Sequence, residues 1–277
     1  IPPSVVFVIY GTVTGVSISQ LLMAGIIPGI FCWLALATYC YFVAKKRNFP
    51  RGSSFSKLNV WTAFKRAFWA LMMPVIILGG IYASIFTPTE AAVVSVFYGV
   101  FVCCFIYREV NTVSLWKICQ NTAITTANLM GLVASASVFA YLATMYNIPT
   151  RVTEFFMGFC NTWVIFMIII NILMIFAGMF LDNGSIILIL GPILAPLAVS
   201  YGIDPVQFGL VVVFILSMGQ CTPPFGTCMF VACGIANRPV MGVAKTLLGF
   251  IAVEVVCGLL FSFVPWFSLA IPHLLMR

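Results

Sequence analysis

Charge is what this sequence has least of. Asp, Glu, Lys and Arg make up 7% of its 277 residues, where soluble domains carry roughly 25%. Only six residues are acidic, and the one histidine is His273, near the tail. A His-based zinc site is thereby excluded, and an imidazole base is missing from the interior. The ten cysteines, at 32, 40, 103, 104, 119, 160, 221, 228, 233 and 257, form no C-x-x-C pair. Most lie in apolar runs and read as small fillers of helix interfaces. There is no Gly-rich phosphate loop ending in Lys-Ser or Lys-Thr, so direct ATP drive by this chain is not expected. A signal-peptide layout is absent too, and Ile1-Pro-Pro is a poor natural start, so the chain is expected to be a piece of something longer.

What remains is apolar. The chain is 63% hydrophobic with a mean hydropathy of +1.17. That composition belongs to an integral membrane protein, with room for about eight or more segments of about 20 residues each. The formal net charge is +7, and seven of the thirteen Lys and Arg residues fall between Lys45 and Arg66. A nucleic-acid partner is not expected, because the flanks of the cluster are lipid-soluble. The positive-inside rule accounts for it better and makes 45–66 and 108–117 cytoplasmic.

Residues 4–20 read as a helix with a polar second half, and Gly25–Ala44 as a span ending in Lys45-Lys46-Arg47. Across 55–69 the apolar residues Phe55, Leu58, Trp61, Phe64 and Phe68 recur every three or four positions. This pattern predicts an amphipathic helix lying in the interface and anchored by Trp61 and Trp69. Ala70–Phe86 and Ala91–Tyr107 are spans joined by a cap at Thr87-Pro-Thr-Glu90. Polar residues are scattered through 119–147, and its halves, about 121–133 and 138–147, are each too short to cross roughly 30 Å of hydrocarbon. A re-entrant hairpin with its tip at 133–137, beside water, is expected; one long tilted helix is the competing reading. Trp163–Leu181 is a full span, 207–236 a span interrupted at Gly219–Gly226, and 243–271 a last span broken at Pro265. The expected organisation is 1–54 (end of a first transport half and the following span), 55–118 (scaffold), 119–242 (second transport half) and 243–277 (final span and tail).

Candidate chemistry gathers where polar, helix-breaking residues interrupt apolar spans. Asp182-Asn183-Gly184-Ser185 offers a carboxylate, an amide, a hydroxyl and a flexible backbone, the hard oxygen donors that Na⁺ prefers. The alternative is that Asp182 merely caps the helix that follows. Gly219-Gln-Cys-Thr222-Pro223-Pro224-Phe-Gly226 frees backbone groups in mid-span, unless it is only a kink. Ser135 and Ser137 sit at the expected hairpin tip. Thr12, Thr14 and Ser17 line a polar path or else bond neighbouring helices. Glu254 stands alone in an apolar run, paired with Lys245 or facing protein. Ile1-Pro-Pro-Ser4 and Thr222-Pro-Pro-Phe225 echo each other, as two related halves would.

Ile1-Pro-Pro-Ser-Val-Val-Phe-Val-Ile-Tyr-Gly11, Gly25-Ile-Ile-Pro-Gly29, Gly80–Ala91, Gly178-Met-Phe-Leu-Asp182, Gly191–Pro196, Gly202-Ile-Asp-Pro205 and Gly219–Gly226 together resemble the large membrane subunit of TRAP transporters (DctM-like), over nearly the whole chain and in order. The sequence is also similar to the sialic acid branch of that family. The resemblance implies an all-α integral membrane fold, a multi-span bundle with re-entrant hairpins and broken helices that works as an elevator. It implies Na⁺-coupled import of a small acidic solute across the bacterial inner membrane, with no organic cofactor. Its partners would be a small four-helix membrane subunit, separate or fused, and a periplasmic substrate-binding protein. The first hairpin would precede Ile1. Phe225 and Cys221 depart from the usual pattern without removing an oxygen ligand. On this reading Asp182, Asn183, Gly184, Ser185, Gly219, Thr222, Ser135 and Ser137 bind Na⁺, while Thr12, Thr14, Ser17, Pro223 and Pro224 border the substrate path. A stand-alone Na⁺/dicarboxylate carrier is the same-class alternative. An intramembrane enzyme lacks a base or a second carboxylate near Asp182, and a scaffold leaves the broken helices unexplained.

Overall fold

The computed structural model describes residues 2–49, 56–83, 85–160, 162–223, 226–236 and 239–275. The basic loop 50–55, with Ser53 and Phe55, lies outside the described residues, as do Ile1, Pro224 and Phe225. Among the described residues the regular structure is helical, and seven stretches are long and apolar enough to cross a membrane. The chain divides into two compact units, Val43–Gly131 and Ile1–Phe42 with Leu132–Arg277.

In the first of these, α4 (Lys57–Tyr82) and α5 (Pro88–Phe101, continued by a π-helical turn at Val102–Ile106) pair through long tyrosines. Tyr98 Oη donates to the Trp69 carbonyl at 2.7 Å, and Tyr107 Oη to the Arg66 carbonyl at 2.9 Å. The expected cap is present. The Glu90 carboxylate accepts from the Thr87 backbone at 2.8 Å, and Thr87 Oγ1 accepts from the Glu90 N–H at 3.3 Å, which satisfies donors that a helix start leaves open. The interfacial helix is not separate from the span after it. Residues 57–82 are one helix, about 39 Å long at 1.5 Å per residue and so longer than the roughly 30 Å of hydrocarbon. The reason is local: after Ser56 the first helix breaker is Pro74, and nothing at Trp69-Ala70 turns the chain. Trp61, Phe64, Phe68 and Trp69 remain exposed along it.

The hairpin tip expected at 133–137 is likewise absent. α6 (Thr112–Met145) is one helix of 34 residues, and the chain turns after it, at Asn147 with φ 53°, into α7 (Ile148–Phe159). Its polar residues do not break it because they bond back along it. Thr125, Ser137 and Thr144 each donate to the carbonyl four residues earlier, at 2.8–2.9 Å.

The second unit is built on α1 (Val5–Thr14), α2 (Ile18–Ala24), α3 (Ile26–Lys46), α8 (Trp163–Phe180), α9 (Asn183–Ser200), α10 (Pro205–Gly219), α11 (Thr227–Ala236), α12 (Val240–Phe263) and α13 (Trp266–Leu275). The helix expected over 4–20 is thus broken, because Gly15 takes φ 76° and Ser17 caps α2. In lipid, apolar area alone does not hold helices together, so close backbone approach and polar contacts matter more. Both are present. α10 is nearly all buried, and Gly209 lets Tyr10 and Leu21 lie against its backbone. Asn171 Nδ2 donates to Ser262 Oγ at 2.9 Å, and Gln207 Nε2 to the Ser262 carbonyl at 3.1 Å, tying α8 and α10 to α12. Phe166 stacks on Tyr201 with ring centroids 4.6 Å apart.

Candidate functional site

The first interruption of interest separates α8 from α9. Leu181 and Asp182 are extended, and α9 starts at Asn183. Asp182 is exposed and acts as a cap. Its Oδ2 accepts from the Ser185 N–H at 2.9 Å and its Oδ1 from Ser185 Oγ at 2.6 Å. The capping alternative is therefore what the geometry shows for Asp182, with Ser185 as its partner and Gly184 beside Ile9 of α1. The neighbouring side chain is different in kind. Asn183 is buried, and its Nδ2 donates to Ser217 Oγ at 3.2 Å. Its Oδ1 is also buried and has no hydrogen-bond partner among the described residues. Such an oxygen is costly unless a donor or a cation is directed at its lone pairs.

The second interruption follows Gly219. The Cys221 and Thr222 N–H groups turn back to the Met218 and Gly219 carbonyls at 3.0 and 2.9 Å, and Cys228 N–H reaches the Gln220 carbonyl at 3.2 Å. A Cβ on Gly226 would collide with the Gln220 carbonyl oxygen, so the loop closes only with glycine there. Thr222 is buried, and its hydroxyl donates to the Met218 carbonyl at 2.9 Å, with no donor to its oxygen among the described residues.

Two glycines bring the interruptions side by side. A Cβ on Gly178 would sit 2.7 Å from the Leu216 carbonyl, and one on Gly219 would sit 2.9 Å from the Gly178 Cα. The α8 and α10 backbones therefore touch just before each chain leaves its helix. The Asn183–Ser217 bond adds a polar link at the same level. The end of α8, the start of α9 and the end of α10 thus meet here, and helix ends of this kind suit a monovalent cation or a carboxylate.

The other predicted residues are not all gathered there. Thr14 and Ser17 line a cavity of about 420 Å³ with Gln20, Pro196 and Asp204, at the opposite end of α10, which is about 22 Å long. Thr12 is exposed and donates to the Ile9 carbonyl at 2.8 Å. Ser135 and Ser137 are exposed on α6; Pro223 ends the described part of the loop, and Pro224 lies outside it. Sequence reasoning missed Ser217 and the role of Gly178. Ser217, two residues before Gly219, was visible as a hydroxyl in an apolar run, but its partner 34 residues away was not. If the Thr14–Ser17 cavity is on the solute path, Ser17→Tyr blocks uptake while the amount of folded permease in the membrane stays normal. Normal kinetics in that variant would take the cavity off the path.

The family model described as "Tripartite ATP-independent periplasmic transporter, DctM component" matches residues 1–267. The isethionate TRAP transporter permease protein DctMQ of Oleidesulfovibrio alaskensis is 38% identical over 266 residues, 96% of this chain and 42% of that protein. The C4-dicarboxylate TRAP transporter large permease protein DctM of Rhodobacter capsulatus is 36% identical over 289 residues, 99% of this chain and 66% of that protein. The sialic acid TRAP transporter large permease protein SiaM of Vibrio cholerae is 34% identical over 274 residues, 99% of this chain and 64% of that protein. The chain thus spans 42% to 66% of the length of these relatives. With seven candidate spans among the described residues it is a multi-pass protein of the bacterial inner membrane, and its relatives bear the names of permeases rather than of enzymes. The chain belongs to the DctM component family of tripartite ATP-independent periplasmic transporters.

Proposed function

We propose that this chain is the permease part of a Na⁺-coupled, binding-protein-dependent TRAP importer of a small organic anion, working as an elevator. The observation that carries the reading is the buried, unpartnered Asn183 Oδ1 beside two adjoining helix interruptions. It is a hard oxygen, buried at the start of a candidate span, with no partner among the described residues, and Na⁺ would supply one. The Thr222 hydroxyl and the carbonyls of the Gly219–Thr222 turn would complete the coordination. Asp182, Gly184 and Ser185 would add negative charge and a preformed helix start nearby, and Ser135 and Ser137 would approach only if α6 moves. In the elevator, 119–242 would move with the end of the preceding half that opens 1–54, and 55–118 would be the scaffold. A small membrane subunit, separate or fused, and a periplasmic binding protein would complete the transporter; the relative named DctMQ supports the fused form.

The substrate class is a small anion. Isethionate, C4-dicarboxylates and sialic acid, named for the relatives, all carry a sulfonate or a carboxylate. Sialic acid is our first choice because of the sequence resemblance to that branch. The experiment is uptake in proteoliposomes holding the full-length permease with its small subunit, with and without binding protein, comparing radiolabelled sialic acid with C4-dicarboxylates. We expect uptake of sialic acid only when the binding protein is present. Uptake of a dicarboxylate without any binding protein would favour the stand-alone carrier.

A further inference from the structure

A second cavity, of about 420 Å³, opens between α3, α10 and α12 and reaches the start of α1. Its size falls within the range of small-molecule sites, roughly 300–1,000 Å³. The walls are mainly apolar, with Phe7, Trp33, Leu210, Phe214 and Met218 among them. Into this space comes Glu254, from the middle of α12. No hydrogen bond or ion pair to its carboxylate is formed among the described residues, and the Lys245 side chain lies outside them. The titratable groups near it are thiols: Cys257 on its own helix, Cys32 on α3 and Cys221 in the loop after α10. A lone carboxylate in an apolar, membrane-embedded cavity is expensive without a counter-charge.

We propose that this cavity is a binding site for a lipophilic organic cation, with Glu254 as its counter-ion and Trp33 offering an aromatic face to the charge. The apolar walls match an apolar cation body, and the single negative group selects the sign. The same charge makes it unfit for the transported anion, so it is distinct from the solute path. It is linked to the helix interruptions all the same. Ser217, which holds Asn183, and Cys221, in the loop after α10, both line it. A bound cation would therefore brace the end of α10 and inhibit transport.

Tetraphenylphosphonium and tetraphenylborate share a shape and differ in sign, so they test this directly. The probe is saturable binding of radiolabelled tetraphenylphosphonium to the purified full-length permease in an uncharged detergent, measured by equilibrium dialysis against unlabelled competitor. The cation should compete about tenfold better than the borate, a difference of about 1.4 kcal/mol. Glu254→Gln should weaken cation binding by about the same factor and erase the preference. Because that variant could fail to fold, Leu36→Trp is the second arm: it fills the cavity from α3, keeps the charge, and should abolish binding of both ions. Absence of saturable binding in the wild type, equal competition by the two ions, or cation binding unchanged in either variant would overturn the proposal.

Discussion

Replacing Gly219 by valine should bring uptake down to background and lower the temperature at which the protein unfolds. The cause is contact between backbones. A Cβ at 219 would lie 2.9 Å from both the Gly178 Cα and the Ile175 carbonyl, neither of which is the far end of a flexible side chain. α8 and α10 must move apart, and overpacking of this kind costs about 1–3 kcal/mol or more. The separation also pulls apart the two interruptions that those helices carry, so function is lost in addition to stability. Gly178→Val should behave alike, since its Cβ would meet the Leu216 carbonyl at 2.7 Å. Gly79→Ala is the control: nothing lies within 4 Å of a Cβ there, and alanine favours the helix by about 1 kcal/mol. Normal uptake and an unchanged melting temperature in Gly219→Val would mean that the close approach of α8 and α10 is dispensable.

Asp182→Asn should raise the Na⁺ concentration needed for half-maximal uptake by about tenfold, equivalent to about 1.4 kcal/mol, with thermal stability unchanged. The comparison with Asp182→Ala separates its roles. Asparagine caps a helix about as well as aspartate, whereas alanine loses about 1 kcal/mol of capping energy. The carboxylate spends one oxygen on the Ser185 N–H and the other on its hydroxyl. Its remaining contribution to a nearby cation is charge through space, which asparagine lacks. A loss of stability in Asp182→Ala together with ordinary Na⁺ dependence in Asp182→Asn would reduce Asp182 to a cap.

Much of this was legible in the sequence because membrane spans announce themselves. The interruptions at Asp182 and at Gly219–Gly226 show as polar, Gly- and Pro-rich words between apolar runs, and the Thr87–Glu90 cap is a local code. The misreadings were of continuity. Hydroxyl and amide residues across 119–147 looked like a broken segment, yet Thr125, Ser137 and Thr144 satisfy themselves against their own helix. The aromatic periodicity of 55–69 looked like an element of its own, yet no breaker separates it from the span. The break at Gly15 was missed for the converse reason, since one glycine with a serine two residues on is a weak signal. Ser217 and Gly178 depend on pairings between segments far apart in the chain, which one sequence does not carry.

The central claim is that the adjoining interruptions, with Asn183 at their meeting point, bind the coupling ion. Equilibrium binding of ²²Na⁺ to the purified full-length permease, wild type against Asn183→Leu, tests it most directly. Leucine keeps the bulk and removes the unpartnered Oδ1 along with the donor to Ser217. The account predicts saturable Na⁺ binding in the wild type and affinity weakened by about tenfold or more in the variant, with the variant still folded by its size-exclusion profile. Undiminished Na⁺ affinity in a folded Asn183→Leu protein would contradict it.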